Sequence, residues 1–561
     1  MDYREEIAKL LAKQVPLKKE EILKLIEVPR VSELGDYSFP CFSLASIFRK
    51  SPNEIARIIA EGIGSTDKII VTAMNAYVNF SINKALFSHD ILSRILKERE
   101  KFGSSNEGKE KKVLMEHTSI NPNAAPHVGT SRNAMIGDIL TRLLRFQGYD
   151  VEVHYYVNDV GKQIAILVLG LKGDEPFEEM LKIYVKNAKK AEKSKKFEKK
   201  AFELLKRFEE GDKSVISQFK RAVKICLDGQ KKILNKLDVK FDVFDYESRY
   251  LLKEKGKLQN LLSRLKETSK LFIDEKGMAV LDEKGFGLEN EMRNPVLVLT
   301  RSDGTSLYPL RDIAYTIDKI GITKNNIIVL GEEHKLHYKQ ILTALKLLGY
   351  GPIKVVHYSF VLLSTKKGVK KMSKRRGELV LLEDFINEAI KKAEKEIAKR
   401  KFSTIKVARD IGVGAVRYAI ARVEENKNVV FNWEEALNFE GNSGPYLQYT
   451  HARASNILKK ARRKAVKLDF SLLKEDREKE LITVLSRFPE AIENATKNLA
   501  PHIIAHYALN LAESFNSFYQ SCPVIRVEHG LREARIALVE ASRQVLENAL
   551  NLMGIKPLKR M

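Results

Sequence analysis

The stretch KKVLMEHTSINPNAAPHVGTSRNAMIGDILTRLLRFQGYDVEVHYYVND, Lys111–Asp159, decides the fold. The run KKVLMEHT predicts a β-strand, and NPNAAPHVG then breaks the chain. Apolar residues recur after it at helical spacing, and Gly148 ends that helix before VEVHYYV predicts a second strand. His127 and Gly129 therefore stand at the N-terminus of a helix between two strands, where unpaired backbone N–H groups and the helix dipole favour phosphate.

A second motif, VKKMSKRRGE at Val369–Glu378, strengthens the prediction of a nucleotide site. One strand–loop–helix unit is weak support, because many α/β proteins contain one. A lysine loop flanked by glycine could close over a triphosphate bound at the first motif. The alternative interpretation is a nuclear-localisation or general RNA-binding cluster. Its pairing with HVGT inside an α/β pattern favours the catalytic loop.

HVGT followed by KMSK resembles the paired signature of the class I aminoacyl-tRNA synthetases. Five longer segments are similar to the arginyl-tRNA synthetase family and follow one another along nearly the whole chain. They are EHTSINPNAAPHVGTSRNAMIGD, SDGTSLYPLRDIAYTIDK, GEEHKLHYKQ, GNSGPYLQYTHARASNILKKA and the C-terminal run through NLMGIKPLKRM. The resemblance fails clearly only within about residues 170–240, and whether that insertion touches tRNA stays open.

The patterns and the resemblance together predict three domains, in a fold that is α/β with all-α parts. Residues 1–107 are expected to form an additional N-terminal α+β domain, joined by a polar, glycine-bearing linker after Leu96. Residues 108–400 are expected to form a Rossmann-type catalytic domain with a mostly parallel sheet and a helical insertion at about 165–290. Residues 401–561 show apolar stripes at helical spacing and are expected to form an all-α, anticodon-binding bundle.

Composition favours a soluble protein with a polyanionic partner. The 98 basic and 73 acidic residues leave a net charge of +25, which favours nucleic acid over the alternative of a lysine-rich surface kept for solubility. Cys41, Cys226 and Cys522 lie far apart, so no zinc site or disulfide framework is expected. No signal peptide or membrane span is apparent. We therefore expect a cytoplasmic protein without a structural metal.

The resemblance implies that the two signatures activate an amino acid with ATP and Mg²⁺. Phosphoryl chemistry of this kind needs positioning and positive charge more than a covalent catalyst. His127 can donate to phosphate, and Gly129 has no Cβ that would keep adenosine from the backbone. The predicted loop residues are Lys371, Met372, Ser373 and Lys374, of which the lysines would neutralise the β- and γ-phosphates. One position departs from the family signature: Thr130 stands where a second histidine is usual.

Arginine recognition needs acceptors for the guanidinium and a separate clamp on the amino and carboxylate groups. The resemblance places Glu116 and Asn123 near the α-amino group, beside His127. It places Tyr308 and Asp312 on the side chain, and His334 where many members have a glutamine that contacts the guanidinium. The alternatives are a capping acid and a core tyrosine, both of which are common.

The resemblance also implies two surfaces for tRNA. The N-terminal domain would contact the tRNA elbow, with Tyr77 and Asn79 in the matching segment. On the C-terminal bundle, Tyr446, Tyr449 and Arg453 lie among further basic residues, and such aromatic and cationic side chains can stack on bases and hold the backbone. The alternative is a set of core tyrosines beside a solvated basic face.

The sequence thus predicts an arginine–tRNA ligase that forms arginyl-adenylate from arginine and ATP and transfers arginine to tRNA(Arg). A monomer is expected, and the resemblance implies that activation needs bound tRNA. Two alternatives stay open at this point. One is another class I synthetase, against which the absence of a cysteine–histidine zinc set and the helical end domain argue. The other is a catalytically inactive tRNA-binding paralogue, which the intact lysine loop disfavours and Thr130 leaves possible.

Overall fold

The computed structural model describes residues 3–29, 34–173, 175–365, 368–371, 380–400, 405–461 and 468–561. These residues form two compact units, each built from several chain segments. The smaller unit comprises 1–102, 453–488 and 510–547, and the larger unit comprises 103–452, 489–509 and 548–561. Within the described ranges, we find no helix of the length and apolar character that a membrane crossing requires.

Fourteen strands and twenty-two α-helices make up the described secondary structure. The strands are β1 Tyr37–Pro40, β2 Ile69–Met74, β3 Tyr77–Ile82, β4 Lys112–Glu116, β5 Asp150–Val157, β6 Val243–Tyr246, β7 Leu271–Ile273, β8 Ala279–Asp282, β9 Val296–Val298, β10 Asn326–Gly331, β11 Lys354–Tyr358, β12 Val361–Thr365, β13 Gly368–Lys371 and β14 Val429–Phe431. The helices are α1 Tyr3–Leu11, α2 Lys19–Leu25, α3 Ala45–Phe48, α4 Pro52–Ile63, α5 Lys84–Glu98, α6 Val128–Phe146, α7 Lys162–Val168, α8 Phe177–Lys193, α9 Lys195–Glu210, α10 Lys213–Leu234, α11 Arg249–Leu252, α12 Lys255–Glu267, α13 Tyr308–Ile322, α14 Lys335–Leu347, α15 Leu382–Lys399, α16 Ala408–Ala421, α17 Trp433–Ala436, α18 Gly444–Ala461, α19 Asp476–Ser486, α20 Phe488–Lys497, α21 Pro501–Ser521 and α22 His529–Leu552.

A five-stranded parallel sheet lies at the centre of the larger unit, in the order β11–β10–β4–β5–β6. Strands β4 and β5 are parallel neighbours joined by α6, which confirms the predicted strand–helix–strand unit. Gly148 adopts a φ of +85° just after α6, and it ends that helix as the sequence predicts. The chain extends the sheet from β4 in both directions, and ligands of such sheets bind at the carboxyl edge of this reversal point. Glu116 ends β4 at that edge, and Gly331 ends β10 beside it.

The insertion after Asp159 begins with packed helices and is interrupted by strands further on. Helices α7 to α10 pack around buried apolar side chains, including Phe208 and Phe219, whose ring centroids are 4.7 Å apart. From Val243 the chain returns to the parallel sheet as its edge strand β6, and β7, β8 and β9 then form a small antiparallel sheet. The expected helical insertion at 165–290 is helical through α10 and again in α11 and α12, but it is wrong at β6, β7 and β8, where short β-branched and aromatic runs pair as strands.

The smaller unit combines the N-terminal elements with part of the helical bundle. Strands β1, β3 and β2 form an antiparallel sheet over an apolar core shared with α1, α2 and α4. The expected linker begins later than Leu96: α5 continues through Glu98, Phe102 is fully buried with its ring 6.1 Å from that of Phe488, and the turns that lead to β4 start at Gly103. Burying such a ring stabilises the fold by roughly 1.5–3 kcal/mol, which a free linker would forgo.

The predicted helical bundle is present, with one exception near its start. The apolar stripe Leu481, Leu485, Phe488, Ile492 and Ala495 is fully buried, as its spacing predicts. The exception is β14, which lies inside the stretch expected to be all-helical from 401 and pairs in parallel with β12. Strands β13, β12 and β14 thus form a three-stranded sheet in the larger unit.

Residues 553–558 are fixed to the larger unit by backbone carbonyls. Arg417 Nε donates to the Met553 carbonyl at 2.7 Å, and Gln448 Nε2 donates to the Lys556 carbonyl at 2.9 Å. His451 Nδ1 lies 2.8 Å from the Leu558 carbonyl. Because Arg417 is fully buried, these residues form part of the interior of the larger unit.

Candidate active site

The HVGT turn is a helix N-terminus closed by its own side chains. His127 is the N-cap of α6, and its Nδ1 accepts from the Thr130 backbone N–H at 3.3 Å. The His127 backbone N–H donates to Thr130 Oγ1 at 3.0 Å. Thr130 therefore completes a capping box, a role for its hydroxyl that supplies no positive charge toward phosphate. The helix dipole and the remaining N–H groups are left to attract an anion.

Gly129 is closely approached by the side chain of its neighbour His127. A Cβ at this position would lie 3.0 Å from both Cε1 and Nδ1 of the His127 ring. The ring folds back over the first turn of α6 because its nitrogen accepts the capping hydrogen bond. The sequence predicted Gly129 as a surface for adenosine, and the structure adds a local steric reason for the glycine.

The chain that leaves the lysine loop is attached to the HVGT turn. Val128 N–H donates to the Val380 carbonyl at 3.2 Å, and Leu382 N–H donates to the Pro126 carbonyl at 2.9 Å. On the other side of the loop, the backbone of Lys371 pairs with Leu362 at the end of β13. The predicted residues Met372, Ser373 and Lys374 lie outside the described residues. The two signatures are thus joined through the backbone that flanks the second one.

Glu116 and Asn123 are buried beside β4 and already have protein partners. Glu116 is 5% exposed and forms an ion pair with Lys319 of α13, whose ammonium lies 4.3 Å from the Tyr315 ring centroid. Burial raises the pKa of Glu116, and the Lys319 charge opposes that rise. Asn123 donates to Gln163 Oε1 at 3.1 Å. An incoming α-amino group would have to share Glu116 with Lys319.

Asp312 and Tyr308 lie together in the first turns of α13, with His337 beside both. Asp312 is 7% exposed, and its Oδ2 lies 3.2 Å from His337 Nε2. The rings of Tyr308 and His337 have centroids 5.6 Å apart. His334, the residue predicted from the sequence, is exposed in a short 3-10 helix and lies 4.0 Å from Glu333. The structure thus brings His337, one turn further along, to the predicted carboxylate and leaves His334 at the surface.

Two further buried groups belong to this cluster and were missed from the sequence. Glu247 is 2% exposed and accepts from Arg311 Nε at 2.5 Å and from Asn158 Nδ2 at 3.1 Å. Burial raises the pKa of Glu247 and nearby Asp312 adds to this, while Arg311 opposes it. The buried hydroxyl of Tyr156 has no hydrogen-bond partner within the described part of the chain. Glu247 directly follows β6, so an acid after the short run FDVFDY was the available signal.

These acids and aromatic rings line the carboxyl edge of the sheet next to the HVGT turn, an arrangement that suits a cationic ligand and a nucleotide. Residues 91–433 match the family described as "tRNA synthetases class I (R), catalytic domain". Residues 447–561 match "DALR anticodon binding domain", and residues 1–82 match "Arginyl tRNA synthetase N terminal domain".

The chain belongs to the arginyl-tRNA synthetase family.

Individual relatives match along the full length. An arginine–tRNA ligase of Methanocaldococcus jannaschii is 39% identical over 583 residues, which cover 100% of this chain and 98% of the relative. One from Methanococcus aeolicus is 39% identical and covers 96% of each chain. The solved arginyl-tRNA synthetase of Thermus thermophilus has a TM-score of 0.82 at 26% identity, with 100% of both chains covered. The predicted family and fold class are confirmed.

The residues predicted to contact tRNA divide into accessible and buried ones. Tyr77 lies on β3, with its ring 5.5 Å from the exposed ring of Phe42. Asn79 lies on the central strand of its sheet with only 4% of its surface exposed, and its contact with tRNA stays a prediction. Tyr446 and Tyr449 are half-buried on α18, and the Arg453 guanidinium lies 5.5 Å from the Tyr519 ring centroid. Both tyrosines and Arg453 keep some surface available.

The buried acid Glu283, near His337, predicts that the stability of the protein depends on pH. Glu283 is fully buried, its Oε2 accepts from Gln340 Nε2 at 2.7 Å, and burial raises its pKa to about 7. The unfolded chain ionises Glu283 near its ordinary value, so between that value and pH 7 it loses a proton that the folded chain keeps. The free energy of unfolding therefore falls as pH rises through this window and levels off above it.

Glu283→Gln should remove this loss and stabilise the protein by up to about 3 kcal/mol at pH 8, with little change at pH 5. The thermal unfolding midpoint at the two pH values measures the effect. The exposed Glu275→Gln, from the same small sheet, is the control and should leave the pH dependence unchanged. An equal shift of the Glu283→Gln midpoint at both pH values would contradict the ionisation argument.

Proposed function

We propose that the chain attaches L-arginine to tRNA(Arg) in two steps. The arginine carboxylate attacks the α-phosphorus of ATP, pyrophosphate leaves, and arginyl-adenylate forms. A ribose hydroxyl of the terminal adenosine of tRNA then attacks the arginyl carbonyl, and AMP leaves. The observation that carries the proposal is the full-length match to arginine–tRNA ligases, combined with an acidic cluster next to the HVGT turn.

We assign the parts of the first step to these residues. The N-terminus of α6, with His127 and Gly129, would hold the phosphates, and Lys371 and Lys374 would neutralise the β- and γ-phosphates as pyrophosphate leaves. ATP would arrive as its Mg²⁺ complex, so the metal is part of the substrate. In the described ranges no three His, Cys, Asp or Glu side chains converge on a metal position.

Arginine would bind with its guanidinium at Asp312 and Glu247. A planar cation that offers several N–H donors matches two buried carboxylates and the unpartnered Tyr156 hydroxyl. Tyr308 and His337 would close the site at the edge of Asp312. The α-amino group would reach Glu116 and Asn123 near the HVGT turn. Glu247 already has Arg311 as its counter-charge, whereas Asp312 has the His337 imidazole beside it, so a cationic ligand would mainly compensate Asp312.

We further propose how the chain is divided and how it meets tRNA. Residues 1–107 would contact the tRNA elbow through a surface that includes Tyr77, and residues after about 433 would contact the anticodon through Tyr446, Tyr449 and Arg453. The catalytic domain would extend past the predicted boundary at 400, because β14 pairs with β12. We propose that the enzyme works as a monomer in the cytoplasm.

Charging assays test the function directly. Each labelled amino acid is incubated with total tRNA, ATP and Mg²⁺, and we expect arginine alone to be attached. A tRNA-binding module would retard tRNA on a native gel and attach nothing, and another specificity would attach a different amino acid. ATP–pyrophosphate exchange with arginine, run with and without tRNA, then measures whether activation needs bound tRNA.

A further inference from the structure

Arg132 is a fully buried cation held by backbone carbonyls. It lies in the second turn of α6, five residues after His127. Its Nη1 donates to the carbonyls of Ser359 at 2.6 Å and Lys427 at 2.7 Å, and its Nη2 donates to that of Glu424 at 2.8 Å. None of these acceptors is a carboxylate. Burial lowers the pKa of Arg132 to about 10, so the guanidinium stays charged at neutral pH.

The carbonyls that Arg132 holds belong to the base of the sheet β13–β12–β14. Ser359 lies two residues before β12, and its N–H donates to the Glu425 carbonyl at 2.8 Å. The Ser359 hydroxyl lies 2.8 Å from both Glu332 Oε2 and the Asn426 carbonyl. The segment 424–428 leads into β14, which pairs in parallel with β12. One guanidinium therefore fixes the point from which both strands depart.

The hairpin that starts at this point leads into the lysine loop. Strand β12 pairs antiparallel with β13, which ends at Lys371. After the loop, Val380 and Leu382 pair with the HVGT turn on the same helix. Helix α6 therefore holds the chain on both sides of the loop, through Arg132 before it and through the HVGT backbone after it.

We propose that Arg132 is a positioning residue for arginine activation, which fixes the base of the β12–β13 hairpin on α6 so that the loop lysines reach ATP at the N-terminus of the same helix. The proposal rests on the proposed role of Lys374. A displacement of reacting groups by about 1 Å can cost on the order of a hundredfold in rate. Arginine itself binds elsewhere, at α13, so its affinity should be insensitive to Arg132.

Arg417 provides a matched control for a merely structural role. It is also fully buried, donates to two backbone carbonyls, and contacts α6 through an ion pair with Asp138. Its carbonyl partners are Leu237 and Met553, neither of which lies in the hairpin. Replacing either arginine by lysine keeps the charge and removes the planar fork.

The experiment is a double-mutant cycle in ATP–pyrophosphate exchange. Arg132→Lys should lower turnover about 30-fold, with the KM for arginine within about twofold of wild type. Arg417→Lys should lower turnover less than about threefold at 20 °C. In a Lys374→Ala background, Arg132→Lys should lower turnover by less than about a further threefold. The position of the loop then matters little, because the lysine that it would place is already absent.

The outcomes distinguish a failure of the role proposed for Arg132 from a failure of the role proposed for Lys374. Wild-type turnover of Arg132→Lys, or a full 30-fold loss on top of a crippled Lys374→Ala, would overturn the role of Arg132 alone. Normal turnover of Lys374→Ala would overturn the lysine loop and this proposal with it. Where Arg132→Lys fails to fold, Ser359→Ala takes its place, with an expected loss of about fivefold that again disappears in the Lys374→Ala background.

Discussion

Asp312→Asn is expected to lower kcat/KM for arginine about a thousandfold. The substitution keeps the shape of the side chain and removes the charge that the guanidinium needs. Asp312 is 7% exposed, so an arginine bound there without this counter-charge is a buried cation whose other acid, Glu247, is already paired with Arg311. Removing one partner of a buried pair costs about 3–5 kcal/mol, and a loss in the middle of that range is about a thousandfold. Arginine-dependent pyrophosphate exchange measures it, and tRNA affinity should stay within about twofold.

The same helix supplies the control for Asp312→Asn. Asp318 lies six residues later and accepts from Arg249 Nη2 at 2.7 Å and from the Tyr250 hydroxyl at 2.8 Å. Asp318→Asn should lower the unfolding midpoint and leave the KM for arginine unchanged. If Asp312→Asn instead charges tRNA normally at low arginine, the guanidinium binds elsewhere.

Lys374→Ala should reduce turnover about a hundredfold and change the KM for arginine less than about threefold. Charge accumulates on the β- and γ-phosphates as pyrophosphate leaves, so a cation in this loop acts mainly in the transition state. The backbone supports the placement, because the chain on the C-terminal side of the loop pairs with Pro126 and Val128. The lysines must supply more of the positive charge at the phosphates, since Thr130 carries no charge and its hydroxyl is used in the helix cap.

Arg375→Ala removes one positive charge from the neighbouring position and serves as the control for Lys374→Ala. We expect this variant to keep turnover within about threefold of wild type, because Arg375 lies outside the KMSK signature and is not assigned to a phosphate group. Equal losses in both variants would mean that general electrostatic attraction, and not a placed lysine, explains the effect. Raising the salt concentration would then reduce the difference from wild type.

The local parts of this fold could be predicted from the sequence because their signals are local. The apolar run before Glu116, the helical spacing after His127 and the glycine at 148 each act within a few residues, and the strand, the helix and the helix end that they predict are all present. The apolar stripe after Leu481 is buried for the same reason. Family resemblance added the domain to which each of these elements belongs, but not the contacts between distant segments.

The parts that could not be predicted depend on contacts between distant segments. Glu247 reaches Asp312 because β6 pairs with β5. Glu247 lies 89 residues after its partner Asn158, and a pairing over that distance leaves no local pattern in the sequence. His337 lies at Asp312 where His334 was expected, because the direction of α14 after β10 decides which turn faces α13. Phe102 looked like part of a linker because its partner Phe488 is far away in the sequence.

The anchoring of residues 553–558 has a consequence for synthesis on the ribosome. Strand β4 emerges more than 400 residues before Met553, yet Arg417 cannot complete its hydrogen bonds until Met553 arrives. Arg417 itself is made 136 residues before Met553, an interval of roughly 7–27 s at ordinary elongation rates. During that interval the Arg417 side chain lacks one of its acceptors, so the packing around it is completed only after Met553 has been synthesised.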